Sequence, residues 1–476
     1  MHTDFIVGSP NPATVGLPGS APPRWARWQI FAFRYALLHY VLYAFPGPIR
    51  SLVGTVIGIG RLAGLDTSKA PWSWLNVPLA WVSPSWQWLT LKMAALGVAP
   101  YEVIHQPTGS GDTGHAYTRL LFIIVVSLLG TLIWSFIGNA RAYPRLGRWL
   151  HLVVRFDLAF TLFSYGFSKF YGGQFGELSL NRLTQEIGDT WPMTMVGTFM
   201  QASKPYELLG GAGEVLAGLL LFHRRTALLG ACVSIGVMAN VCAINWLCGV
   251  PVKLFSAHLL FYSIGLLAPF LPQLSAVFLH NQSSQPVDLR VVTGRRVGRI
   301  LLGLGLAWVA LFLVQTHVQG IKPKPWEKGR ERSALYGLWT VESMTLDGKV
   351  VPMTDATRWR DFAIDRGTQA WTRELNGRRR FFEFTWDEAA GIVQVKERTA
   401  SGEAVTWTCE RGKKMVKGDP PLLLRNAERG KPVDVERRFL VLRGKWNGHD
   451  LELKTVEKVF RLQTGFRLRQ ELPDFW

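Results

Sequence analysis

Residues 118–137 read TRLLFIIVVSLLGTLIWSFI, twenty positions with one charged residue, Arg119, near the start. A helix rises about 1.5 Å per residue and the hydrocarbon layer of a bilayer is about 30 Å thick, so a run of this kind is a membrane span. The segment 299–317 (RILLGLGLAWVALFLVQTH) is nearly as apolar. Seven spans are predicted in all, at 28–46, 118–137, 150–168, 206–222, 226–246, 255–278 and 299–317. The first carries Arg34 and His39 and is the weakest of them. Charge divides the chain at residue 317. Residues 1–317 hold 22 Lys+Arg and 11 Asp+Glu, whereas the shorter stretch 318–476 holds 31 and 23. The first part suits lipid and the second suits water. The overall charge of +19 is therefore no nucleic-acid signal, and a soluble enzyme with an ordinary core is excluded.

Arginines test the count of spans. Arg24 and Arg27, then Arg141, Arg145 and Arg148, then Arg224 and Arg225, then Arg290, Arg295, Arg296 and Arg299 all fall on one side of a seven-span chain. The positive-inside rule makes that side cytoplasmic, so the N-terminus is inside and the C-terminal part is exported. Residues 1–26, rich in Pro, Gly and Ser, are expected to be a disordered cytoplasmic tail with no cleavable signal. Residues 27–149 form an N-terminal membrane region. Its stretch 47–117 sets Trp72, Trp74, Trp81, Trp86 and Trp88 among Pro71, Pro78 and Pro84 and is expected to make short interfacial helices. Residues 150–280 make a four-helix bundle, 297–320 the last span and 334–476 a β domain.

Charged groups inside spans are costly and face partners or cavities. Counted from the cytoplasmic end, Arg155 and Glu214 lie at similar depth, with Asp157 an alternative acid. They are the candidate catalytic residues. A second layer lies near the outer face: Lys169, Glu207, Asn240, Asn245, Lys253 and His258. Lys169, Asn240, Lys253 and His258 are the candidate cofactor-binding set, lining either one end of a polar path or a quinone pocket. The plainer reading makes Arg155–Glu214 a register-fixing pair and lets the lysines snorkel to the surface. His39 and His258 read as lone histidines in polar contacts, and no HxxxH, HExxH or CxxC spacing supports a metal. Cys242 and Cys248 reach a disulfide only if their helix ends by about Asn245. Gly109–Gly114 lacks the phosphate-loop pattern, and Asp112 or Thr113 is better read as the cap of the second span.

These residues carry a family likeness. The segment 150–278 resembles the DoxX family of four-helix membrane proteins through Arg155, Tyr-Gly-Phe-Ser-Lys ending at Lys169, Gly-x-Gly-Glu-x-x-x-Gly at 211–218 and Arg-Arg-Thr at 224–226. A subgroup of large DoxX-like bacterial proteins is similar over nearly the whole chain, through GSGDT at 109–113, QF at 174–175, GDTWPM at 188–193, TFMQAS at 198–203, VPVKLFSAHLL at 250–260 and GFRLRQELP at 465–473. Where that subgroup has Tyr-Asp before VPVK, this chain has Cys248-Gly249. The resemblance implies a bacterial inner-membrane protein with a periplasmic or extracellular C-terminal domain. It further implies a quinone-linked or thiol/sulfur redox subunit working with a protein partner in the membrane or periplasm. The alternative is a non-enzymatic scaffold or assembly factor whose β domain binds a protein or lipid. Quinone is the cofactor implied, and no flavin, haem or metal signature is present.

The exported tail alternates in the manner of strands, in RFFEFTW (380–386), AVTWTC (404–409) and DLELK (450–454). Turn dipeptides stand at Asp347-Gly348, Asn376-Gly377, Ser401-Gly402 and Asn447-Gly448. The fold expected is thus an α-helical polytopic membrane bundle of about seven spans with a DoxX-like four-helix core, followed by an antiparallel all-β barrel or sandwich. The opening LYGLWTVESMTLDGK is similar to lipocalin-like barrels, with a side-chain core expected in place of a ligand. The basic run 411–417 is expected as a solvated loop, with anionic headgroups as candidate partners.

Overall fold

The structure, a computed structural model, describes residues 25–45, 47–66, 82–97, 110–171, 174–291, 295–321, 331–398, 404–418 and 433–460. The expectations for the N-terminal tail to residue 24, for Trp72, Trp74 and Trp81, for Ser401-Gly402 and for 465–473 lie outside the described residues. The chain divides into two compact units. Met1–Leu162, Leu216–Asn245 and Pro251–Gln315 belong to the first, and Phe163–Val215, Trp246–Val250 and Thr316–Trp476 to the second.

The helices are α1 (Arg27–Ala44), α2 (Gly47–Leu62), α3 (Val82–Ala95), α4 (Gly114–Ile137), α5 (Pro144–Phe170), the single turn α6 (Leu180–Leu183), α7 (Pro192–Ala202), α8 (Lys204–Phe222), α9 (Ala227–Leu247), α10 (Lys253–Gly265), α11 (Leu271–Phe278) and α12 (Arg295–Ile321). Among the described residues, six helical stretches are long and apolar enough to cross a membrane: α4, α5, α8, α9, α10 continued through α11, and α12. The seventh expected span, α1, is helical but does not join them, because Arg27, Gln29, Arg34 and His39 break its apolar length. Arg34 points inward instead: its guanidinium donates to the Tyr143 hydroxyl (2.7 Å), Ser135 Oγ (3.0 Å) and the Gly138 carbonyl (3.1 Å). The stretch expected to hold short interfacial helices contains α2 and α3.

Inside the first unit, Leu158, Ala159 and Leu162 of α5 pack with Ala217 and Leu221 of α8, Ala231 and Met238 of α9, Leu259 of α10 and Tyr40 of α1. Large apolar side chains such as Phe136, Leu219 and Phe261 face outward. That pattern suits a surrounding of lipid.

The β domain lies in the second unit. Strands β1 (Gly337–Leu346), β2 (Lys349–Val350), β3 (Trp359–Ile364), β4 (Gln369–Glu374), β5 (Arg379–Asp387), β6 (Ile392–Glu397), β7 (Val405–Gly418), β8 (Val433–Trp446) and β9 (His449–Lys458) are all antiparallel. β1 also pairs with β9, from Leu338↔Lys458 to Leu346↔Leu451, which closes eight strands into a barrel; β2 pairs with β1 at its end. The tight turns Asp347-Gly348 and Asn447-Gly448 have positive φ at both residues, as two-residue hairpins require. Eight strands enclose a space that side chains fill. Here Trp339, Trp359, Trp407, Phe362, Phe382 and Phe384 are all fully buried in one cluster, with Leu442 and Leu453. The indole N–H groups of Trp339 and Trp407 donate to the carbonyls of Leu335 (3.1 Å) and Lys445 (2.9 Å). One expectation fails. The basic run 411–417 is no loop but the outer half of β7, paired from Arg411↔Leu440 to Lys417↔Asp434. Its charges sit outside and find acids: Lys413 Nζ lies 2.9 Å from Glu436 and Lys414 Nζ 2.6 Å from Glu342.

Candidate functional site

The first unit gathers polar groups where α1, α3, α4 and α10 meet. Helix α10 starts without a cap of its own, since its N-cap residue is Val252. Asp112 supplies one: Oδ2 accepts from the Lys253 backbone N–H (2.8 Å) and Oδ1 from that of Leu254 (3.1 Å). Lys253 Nζ lies 3.5 Å from the same carboxylate, and Gly111 N–H donates to the Pro251 carbonyl at 2.8 Å. Thr113 caps α4 through a 3.3 Å bond from the Ala116 N–H. Both residues proposed as caps are therefore caps, but Asp112 serves a helix far along the chain. Residues 110–113 and 251–254, separate in sequence, form one joint.

Below that joint, His258 Nδ1 is 2.6 Å from the Leu254 carbonyl, which only accepts, so Nδ1 carries the proton in the neutral ring. Its Nε2 then accepts from His39 Nε2–H at 3.2 Å, and His39 Nδ1 accepts the Tyr35 hydroxyl at 3.5 Å. The two histidines, alone in sequence, are thus partners in space. The Tyr43 ring stacks on His258, with centroids 3.5 Å apart. Arg119 donates from Nη2 to the Tyr43 carbonyl (3.2 Å) and lies over the Trp86 ring at 4.8 Å, while its buried Nε has no hydrogen-bond partner. His115 Nδ1 bonds Thr90 Oγ1 at 2.8 Å. Tyr43, His115, Arg119, Leu120, Leu254 and Phe255 line a cavity of about 240 Å³. Whole small-molecule sites run to about 300–1,000 Å³, so this one fits a single ring or head group.

Arg155 and Asp157 also lie in the first unit. The Tyr40 hydroxyl donates to Asp157 Oδ2 at 3.1 Å. Arg155 is buried, its Nε has no hydrogen-bond partner, and its guanidinium carbon is 5.5 Å from the Phe156 ring.

Glu214 is in the second unit, and its partner is Lys169, not the Arg155 expected from depth. Lys169 Nζ donates to Oε1 at 2.8 Å and to Oε2 at 2.6 Å, and both residues are buried. Glycines explain the pairing. A Cβ on Gly166 would stand 2.8 Å from the Gly211 carbonyl, and one on Gly211 2.9 Å from that of Gly166. The two backbones therefore touch, and the Lys169 stem runs over Gly211 towards Glu214. Next to it, Lys204 Nζ reaches Glu207 Oε2 (2.7 Å) and the Lys169 carbonyl (3.2 Å), while Glu207 Oε1 is buried with no hydrogen-bond partner.

The proposed outer layer thus divides, Lys253 and His258 in one unit and Lys169 and Glu207 in the other. Asn240 is exposed on α9 and Asn245 is buried. Helix α9 continues to Leu247, so Cys242 and Cys248 stay apart along it, and both are free thiols. In the barrel, burial pushes the Cys409 thiol up to about 11, against a smaller opposing pull from Arg411, which leaves it no thiolate at neutral pH. Nothing in the sequence marks Tyr43 or His115 as part of such a site, and the one signal for Arg119 is its charge at the edge of the most apolar segment.

Comparison with known proteins supplies one relative. YwoB of Bacillus subtilis (strain 168), an uncharacterized protein, is 34% identical to this chain over 141 residues, 30% of the chain and 87% of YwoB. The chain belongs to the YwoB family. No family model matches, and no solved structure does. Since YwoB is nearly covered by 141 residues, most of this chain lies outside the part the two share.

Proposed function

We propose that the chain is a DoxX-like subunit of a bacterial inner membrane that holds a quinone head group beside Tyr43, His115 and Arg119 and works with a redox partner. In this reading α1 crosses the membrane as a seventh, more polar span, so that the N-terminus is cytoplasmic and the barrel periplasmic, following the arginine distribution. The observation that carries it is that Arg119, whose buried Nε lacks an acceptor, is among the residues lining a ring-sized cavity. A quinone carbonyl is such an acceptor, and the Tyr43 ring offers it an aromatic neighbour. A bound quinone supplies a site that takes up two electrons and two protons. The chain's own groups orient the head: Arg119 bonds a carbonyl, and the directed series Tyr35, His39, His258 lies behind Tyr43. Lys253 acts indirectly, by holding Asp112 in place. Arg155 with Asp157, and Glu214 with Lys169, are the proton-handling groups of the same reading.

Purification in mild detergent followed by native mass spectrometry and quinone extraction tests it. Wild type is expected to retain quinone, and Arg119→Ala to lose about tenfold or more, as for one lost bond from a charged donor. Wild type without quinone refutes the reading. The alternative, a membrane scaffold whose exported barrel binds a protein or lipid, draws support from the aromatic filling of the barrel, which leaves its outer surface for contact. A protein bound to the barrel with no quinone present favours that scaffold. A phosphatase reporter fused after Trp476 tests the sidedness: activity is expected, and its loss with a cytosolic reporter active instead overturns the orientation.

A further inference from the structure

The second unit contains a helix built with its polarity reversed. In α7, Thr194, Thr198 and Gln201 share one face at helical spacing. That face is partly covered, and Gln201 Nε2 donates from it to the Phe175 carbonyl at 2.5 Å. Met193, Met195 and Phe199 stand on the rest of the circumference and are exposed, Phe199 by 55%, while Val196 and Met200 among them are half-buried. Trp191, at the N-cap, is 79% exposed, and Ile187 before it 77%. No residue of α7 is buried. A surface helix in water turns its apolar face inward. This one half-covers its polar face and leaves Met193, Met195 and Phe199 of its apolar face out.

Continuity identifies what covers that face. Only Ser203 separates α7 from the span α8, whose outward Leu209, Leu216 and Leu219 are exposed as lipid-facing residues are. Trp191 and Tyr206 are residue types that settle at the membrane–water boundary. The segment just before α7 is tied to the barrel. Leu180 is buried with Leu338, Ala363 and Trp371, and Arg373 Nη1 donates to the Thr184 carbonyl at 3.0 Å. Arg379 reaches the same carbonyl at 3.3 Å, and Arg332 lies 2.6 Å from Glu177. We infer that residues 187–202 are an in-plane anchor, with Ile187, Trp191, Met193, Met195 and Phe199 sunk among lipid acyl chains, and that 177–184 straps the barrel to that anchor at the bilayer surface. An amphipathic helix of this kind lies at the boundary between head groups and chains.

The full-length protein, reconstituted in phosphatidylcholine vesicles carrying a diazirine on the upper acyl chain, provides the test. After photolysis, adducts are mapped by mass spectrometry. Met193, Met195 and Phe199 are expected to be labelled at least half as strongly as Leu216 and Leu219 of α8, and Thr194 and Thr198 only weakly. In Met195→Glu/Phe199→Glu, labelling of α7 falls while that of Leu216 and Leu219 persists. Labelled span leucines beside an unlabelled α7 overturn the inference, as does labelling of the threonine face. Cross-linking of these positions to a second copy in vesicles also overturns it.

Discussion

Bundle and barrel are opposite solutions for opposite solvents. In the helical part, Arg34, Arg155, Lys169, Glu207 and Glu214 are buried while Phe136, Leu219 and Phe261 face out. In the barrel, Trp339, Trp359 and Trp407 fill the interior, and pairs such as Arg443–Glu452 and Lys413–Glu436 stand outside. Lipid offers helices no hydrophobic drive to associate, so close backbone contact and interior polar bonds must hold them. Water supplies that drive to the barrel, and its outer ion pairs contribute little. Similar apolar residues therefore have different energetic meaning in the two regions.

Substitutions break this comparison in order of size. Glu214→Ala strands the buried Lys169 ammonium and is expected to cost about 3–5 kcal/mol, read as a lowered unfolding midpoint in detergent. Glu214→Leu with Lys169→Met is expected to recover most of it. In the barrel, Leu453→Ala empties space in a packed core and is expected to cost about 3 kcal/mol, read by proteolysis of the β domain in the full chain. Asp112→Ala uncaps α10 and is expected to cost about 0.5–2 kcal/mol, with faster hydrogen exchange at Lys253 and Leu254 as the local signature. Leu219→Ala, on the outer surface of a span, is expected to cost under about 0.5 kcal/mol, because lipid replaces the lost contact. If Leu219 proves as costly as Leu453, the contrast fails.

Acid gives the smallest effect. The Asp450 N–H and then His449 hold the Asp347 carboxyl below the usual carboxylate range. A folded pKa below the unfolded one stabilises the fold above about pH 4, and that contribution disappears as pH falls through the folded value. Unfolding of the barrel between pH 5 and pH 3 should therefore be less acid-sensitive in Asp347→Asn than in wild type.

Spans and strands were legible because their signals are local. A twenty-residue apolar run such as 118–137, or the alternation of Phe382 and Phe384, is complete within one element. The register between elements is not. Depth counting pairs Glu214 with Arg155 and so finds the right helix, α5, but the Gly166–Gly211 contact fixes how far α5 slides along α8, and Lys169 of the same helix is the residue that meets Glu214. His39 and His258 looked solitary for the same reason. The run 411–417 looks like a loop because its density of charge hides a strand whose ionic partners lie on β8 and β1.

Asp112 and the start of α10 are separated by most of the helical bundle in chain order. During synthesis the carboxylate emerges long before the amides it will hold, so the first turn of α10 stays uncapped until it reaches the 110–112 turn. Completion of that cap thus reports that α10 has docked against the start of α4, and the joint acts as a latch closed by its later-made half.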